Sequence, residues 1–83
     1  MSVITVYSRR GCHLCDEAEQ VVRRVVRGTD GRPDAHAVEI VDIDLDPALV
    51  DRYTVRVPVV AVDGVEIAQY QLDPAVLEAA LTR

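Results

Sequence analysis

Residues 3–22 read V-I-T-V-Y-S-R-R-G-C-H-L-C-D-E-A-E-Q-V-V, and their periodicity changes partway through. Val3-Ile4-Thr5-Val6-Tyr7 is β-branched and aromatic, the composition of a strand. Ser8 to Gly11 is polar and ends in glycine, which predicts a loop. From His13 onward, Leu14, Ala18, Val21, Val22 and Val25 recur at three- and four-residue spacing, predicting an amphipathic helix to about Arg27. Its acids (Asp16, Glu17, Glu19) come first and its arginines (Arg23, Arg24, Arg27) last, as the helix dipole favours. Gly28 is expected to stop it.

The only two cysteines, Cys12 and Cys15, stand at the junction of loop and helix. Cys12 falls where the helix N-cap should be, against backbone N–H groups that lack a helical partner. A thiolate there gains from those donors and from the positive end of the dipole, and both lower its pKa from about 8.5 toward neutrality. Arg9, Arg10 and a protonated His13 push the same way; Asp16 and Glu17 oppose them. Cys15 shares the inward-packing side with Ala18 and Val22, while Cys12 is expected at the exposed tip. One sulfur is thus placed to attack and the other to resolve a mixed disulfide, as thiol–disulfide exchange requires. Two plainer readings compete. Small apolar filler suits Cys15 but not Cys12, which follows glycine in a polar loop. Zinc needs four ligands, and only His13, His36 and carboxylates are present to complete a site. Both histidines are expected to be solvated on the surface.

Farther along, Gly28 to His36 collects Gly, Thr, Asp and Pro and reads as a surface loop. Ala37 to Ile43 reads as a second strand. Asp46-Pro47 is an N-cap with proline in the first helical position, opening a short helix to about Tyr53. Pro58 to Val62 and Val65 to Ala68 flank Asp63-Gly64, a hairpin signal. Asp73-Pro74 opens a last helix. The order β-α-β-α-β-β-α is α/β: two parallel strands joined by a right-handed crossover, plus an antiparallel hairpin. The active end is expected where the first strand meets the first helix.

With 83 residues the chain is read as one domain, 1–83, burying a little over ~60% of its unfolded surface. The net charge is −5 and the basic residues, all arginine, form no stripe, so nucleic acid is not an expected partner. No apolar run approaches the ~18 residues of a membrane span. The first strand begins beside Met1 with no room for a leader, so a cytoplasmic location with the cysteines kept as thiols is expected.

With these residues in view, the chain resembles a glutaredoxin-type member of the thioredoxin superfamily, and above all the short bacterial glutaredoxin-like proteins. V-Y-S-R-R-G-C-H-L-C, residues 6–15, is similar to the strand, basic residue and Cys-x-x-Cys of that family. V-R-V-P-V-V-A-V-D-G, residues 55–64, resembles its cis-proline segment. The resemblance implies a four-stranded mixed sheet flanked by three helices, with Cys12 as nucleophile and Cys15 as resolving thiol. It implies a cis Val57–Pro58 bond, with Arg9, Val57 and Pro58 binding substrate and the Val57 backbone offering a short β-like addition. It also implies a monomer with no bound cofactor, acting on a disulfide-containing protein or small thiol. Glutathione or another thiol reductant, with its reductase, would be co-substrate. Two departures stand out. Ala68 to Asp73 lacks the Gly-Gly pair with which glutaredoxins grip glutathione, and Arg56 replaces a threonine. A second class of function is a thioredoxin-fold binding module, holding an iron–sulfur cluster across a dimer or serving protein interaction with the cysteines idle.

Overall fold

A computed structural model describes residues 2–28, 36–53 and 56–81. In chain order these form β1 (Val3–Ser8), α1 (His13–Gly28), β2 (Ala37–Asp42), a 3-10 turn (Ile43–Leu45), α2 (Pro47–Tyr53), β3 (Val59–Val62), β4 (Val65–Gln69) and α3 (Pro74–Leu81). The order is the expected β-α-β-α-β-β-α, and the fold is a mixed four-stranded α/β sheet with three helices. Strands lie in the order β2-β1-β3-β4, with β1 parallel to β2 and β3 antiparallel to both its neighbours. The ends of β1, β2 and β4 and the start of β3 therefore share one edge of the molecule. None of the described helices is long and apolar enough to cross a membrane.

Local chemistry accounts for the punctuation. Asp63 and Gly64 both take positive φ, 51° and 86°, the requirement of a tight two-residue hairpin turn. Asp63 is also tied to the start of β1: its Oδ1 accepts from Val3 N (2.9 Å) and its N–H donates to Val3 O (2.8 Å). Asp46 Oδ1 accepts from Ala48 N at 3.0 Å and Asp73 Oδ1 from Ala75 N at 2.9 Å, both capping helices whose first residue is proline. In the β3–β4 ladder Val60 pairs with Ala68 but Ala61 pairs with Glu66, so Ile67 is an extra residue, a bulge in β4.

The sheet is packed on both faces. On one, α1 and α3 cover an aliphatic cluster that includes Ile4, Val6, Ala18, Val22, Val60 and Leu77. On the other, Ile43, Tyr53 and Val59 are buried, with Tyr7, Leu49 and Val57 against them. β3 is central and buried along its whole length.

Several expectations need correction. β2 ends at Asp42, because the Asp42 side chain accepts from Asp44 N and turns the chain into the 3-10 segment, taking Ile43 out of the strand. Gly28 is the last residue of α1 instead of the residue beyond it. Leu14 is exposed and Val21 half-buried, while Val26 takes a core place. His36 is not solvated: it is 8% exposed, its Nδ1 accepts from Ser2 N at 3.2 Å, and its buried Nε2 has no partner among the described residues. Pairing of Ala37 N with Ser2 O at 2.9 Å draws the starts of β1 and β2 together and His36 in with them. The rest of the expected loop, 29–35, lies outside the described residues.

Candidate active site

The site grows from the turn between β1 and α1. Gly11 has φ of +71°, a left-handed conformation that glycine adopts without cost, and it delivers Cys12 to the N-cap of α1. Cys12 Sγ accepts from Cys15 N at 3.1 Å, and Cys12 O accepts from Asp16 N at 3.2 Å. A sulfur thus does what an aspartate or serine oxygen does at other helix starts.

Cys12 and Cys15 are joined by a disulfide, with Cα atoms 5.2 Å apart. The two sulfurs are not equivalent. Cys15 is 2% exposed and packs inward with Ala18 and Val22, as its helical spacing predicts. Cys12 is half-buried, less open than the tip expected for it, because Cys15 and its N–H cover one side of the sulfur. His13 between them is exposed, with Nε2 3.3 Å from Glu17 Oε1.

The Val57–Pro58 peptide is cis. Pairing of Tyr7 with Val59 sets Pro58 at the same edge of the sheet as the loop that carries the cysteines. Pro58 is buried and its carbonyl accepts from Tyr70 N at 2.9 Å. Among the described residues the Val57 N–H and C=O have no hydrogen-bond partner. Arg9 turns toward the 3-10 segment: Nε donates to Asp44 Oδ2 at 3.2 Å and Nη2 to Asp44 Oδ1 at 2.7 Å. The Asp44 hydrogen bond, then its charge, raises the Arg9 pKa above the ordinary guanidinium value.

One network had no counterpart in the sequence reading beyond the oddity of Arg56. Arg56 Nη2 donates to Glu66 Oε1 at 2.6 Å and its Nε to Gln69 Oε1 at 2.9 Å. Tyr53 Oη donates to Glu66 Oε2 at 2.9 Å, and the Tyr53 ring stacks on Tyr7 with centroids 4.5 Å apart. Arg56 hydrogen bonding, then that of Tyr53, holds the Glu66 carboxyl below its usual range. Burial, then the Glu66 hydrogen bond, pushes the Tyr53 hydroxyl up. The network ties Arg56, two residues before the cis-proline, and Tyr53 to β4. Among the described residues no group of three or more His, Cys, Asp or Glu side chains could hold a metal ion.

Comparison with solved structures finds thioredoxin-like folds. The structure is similar to that of protein XcR50 from X. campestris, with 35% identity, 95% of each chain covered and a TM-score of 0.73. It is similar to a single-site variant of thioredoxin from Halobacterium salinarum NRC-1, with 27% identity over 95% of this chain and 70% of that one, and a TM-score of 0.64. Chloroplastic thioredoxin z shares the fold at a TM-score of 0.75 and 17% identity, covering 99% of this chain and 76% of its own. No curated protein matches significantly. The family description Glutaredoxin-like domain (DUF836) matches residues 3–82. The thioredoxin-like fold and its cysteine pair support a redox-type function, and the chain belongs to the glutaredoxin-like domain family.

Proposed function

We propose that the protein is a dithiol–disulfide oxidoreductase acting on disulfides of proteins or small thiols. The observation that carries this reading is the asymmetry of the pair: a reachable sulfur at a helix N-cap, linked to a buried one. In the reduced protein the Cys15 N–H and the helix dipole favour the thiolate form of Cys12. That thiolate attacks one sulfur of a substrate disulfide. A Cys12–substrate S–S bond forms, the substrate bond breaks, and the second substrate sulfur leaves as thiolate. Cys15 then gives up its proton and attacks Cys12 Sγ, closing the internal disulfide and releasing the first substrate sulfur. The substrate gains two electrons and two protons; the protein loses them, and a thiol reductant restores them.

The N–H and C=O of Val57, unpaired among the described residues, are available to pair with an extended substrate backbone. The reading includes a cytoplasmic monomer without bound cofactor, served by a thiol reductant and its reductase. Two features argue for weak use of glutathione. Ala68 and Gln69 bring β-carbons where glutaredoxins have glycines, and Arg9 is already engaged by Asp44.

A trapping experiment tests the mechanism. Cys15→Ser should accumulate a mixed disulfide with a model peptide disulfide, seen by intact-mass spectrometry, because no second thiol releases it. Cys12→Ser should form none. Substantial exchange by Cys12→Ser would overturn the reading. In a coupled assay, a thioredoxin-reductase-type partner or a small dithiol should outperform glutathione with its reductase.

A further inference from the structure

A groove of about 360 Å³ runs along α1 from the cysteine loop, walled by Leu14, Ala18, Val21 and Arg24 on the helix and by Tyr70 and Leu72 opposite. We propose that this groove docks the chain of a protein substrate, holding an apolar side chain between Leu14 and Tyr70 and a carboxylate at Arg24. The proposal rests on the thiol–disulfide reading and names its substrate class: a protein disulfide flanked by an apolar residue, then an acid.

Continuity is the first argument. Leu14 lies between Cys12 and Cys15 in the chain, so the groove begins within the loop that the disulfide closes, and this apolar residue is 37% exposed. Tyr70 supplies the second. It holds φ of +69°, within a three-residue turn closed by Gln71 N to Gln69 O at 2.9 Å. That turn is rare and strained for any residue with a β-carbon, and glycine would occupy it freely. The chain places there a tyrosine that is 46% exposed and lines the groove. Strain of this kind persists where the side chain serves a site.

Charge is the third. Arg23 is paired with Glu19 at 3.4 Å, but Arg24, at the far end of the groove, has no ion-pair partner among the described residues. Glu17 stands at the near end, so an acidic residue fits only at the far one. Leu14 and Arg24 are ten residues apart, about 15 Å along the helix. An extended chain covers that in about four or five residues. A tripeptide thiol is too short to use both contacts.

Binding is measured on the full-length protein with synthetic heptapeptides in which serine replaces the reacting cysteine. Each carries leucine next to the serine and glutamate or lysine four residues away, on one side or the other. In one chain direction the glutamate peptide should bind about fivefold tighter than its lysine twin. Arg24 is exposed, and Arg24→Glu should reverse that preference without unfolding the protein. Tyr70→Gly should weaken the leucine peptides about tenfold without lowering the melting temperature. Equal binding of glutamate and lysine peptides in both directions would overturn the proposal. So would a Tyr70→Gly protein that melts earlier yet binds as before, since the ring would then serve the fold alone. Because these peptides have no thiol, docking can hold while disulfide exchange fails, and the two readings separate.

Discussion

The two faces of the sheet are packed by different means. Under α1 and α3 the buried cluster is aliphatic throughout, from Ile4 to Leu77. Under α2 the buried cluster of the described residues is smaller, Ile43, Tyr53 and Val59, and stacked tyrosines, an arginine and a carboxylate do the rest. The first face depends on volume and not on direction, so it holds a fold without orienting anything in particular. The second depends on distances and angles, and it borders the Val57–Pro58 segment. Stability is concentrated on one side and positioning on the other.

Truncation should break the symmetry of that comparison most sharply. Leu77→Ala, at a site with no exposure, should cost about 2–5 kcal/mol and lower the melting temperature by roughly 10–30 °C. A loss under ~1 kcal/mol would show that the aliphatic face is not the main support. Tyr53→Phe keeps the ring and removes one hydrogen bond, so chemical denaturation should register only about 1 kcal/mol. That variant should nonetheless raise KM for a peptide disulfide if the α2 face positions Val57.

Titration separates the faces next. Glu66 is held below its ordinary value of 4.5 when folded, so its contribution is present above that pH and is lost as pH falls through the folded value. Tyr53 is held above 10.0, so its contribution is present below that pH and is lost as pH rises through the folded value. Arg56→Met should therefore flatten the acid limb of a stability–pH curve, and Leu77→Ala should shift the curve without changing its shape. An acid limb unaltered by Arg56→Met would remove Glu66 from the account. Asp44→Asn should have the smallest effect on melting, and one that shrinks between ~0.05 and ~1 M salt, because the Arg9–Asp44 pair is largely open to solvent.

What could be read from the sequence was what neighbours decide. The β1 composition, the Asp46-Pro47 and Asp73-Pro74 caps, the Asp63-Gly64 turn and the inward side of Cys15 all depend on residues within a turn or two. What escaped depends on residues far apart in the chain. Arg9 meets Asp44 across 35 residues, and His36 is buried because Ser2, 34 residues away, lies against it. The Arg56 clamp needs β4 beside the end of α2, and the apolar run of α1 cannot reveal that Leu14 faces a groove and Val26 the core. Tyr70 escaped for another reason: nothing about a tyrosine announces a left-handed backbone.

The bulge in β4 turns a question of residue identity into one of parity. Side chains three apart on a regular strand point to opposite faces. Glu66 and Gln69 are three apart, yet Arg56 grips both. The extra residue, Ile67, makes this possible by restoring the pairing of Val59 with Gln69 after the odd step. Counting therefore matters more here than chemistry. Replacing Ile67 with another apolar residue leaves the arithmetic intact. Deleting it would make β4 regular, with Glu66 and Gln69 two apart on one face and still opposite Ala61 and Val59, so the Arg56 clamp and the Tyr70–Pro58 hydrogen bond should survive the loss. What β4 cannot do is straighten while keeping Ile67, because Gln69 would then turn to the aliphatic side and leave Arg56.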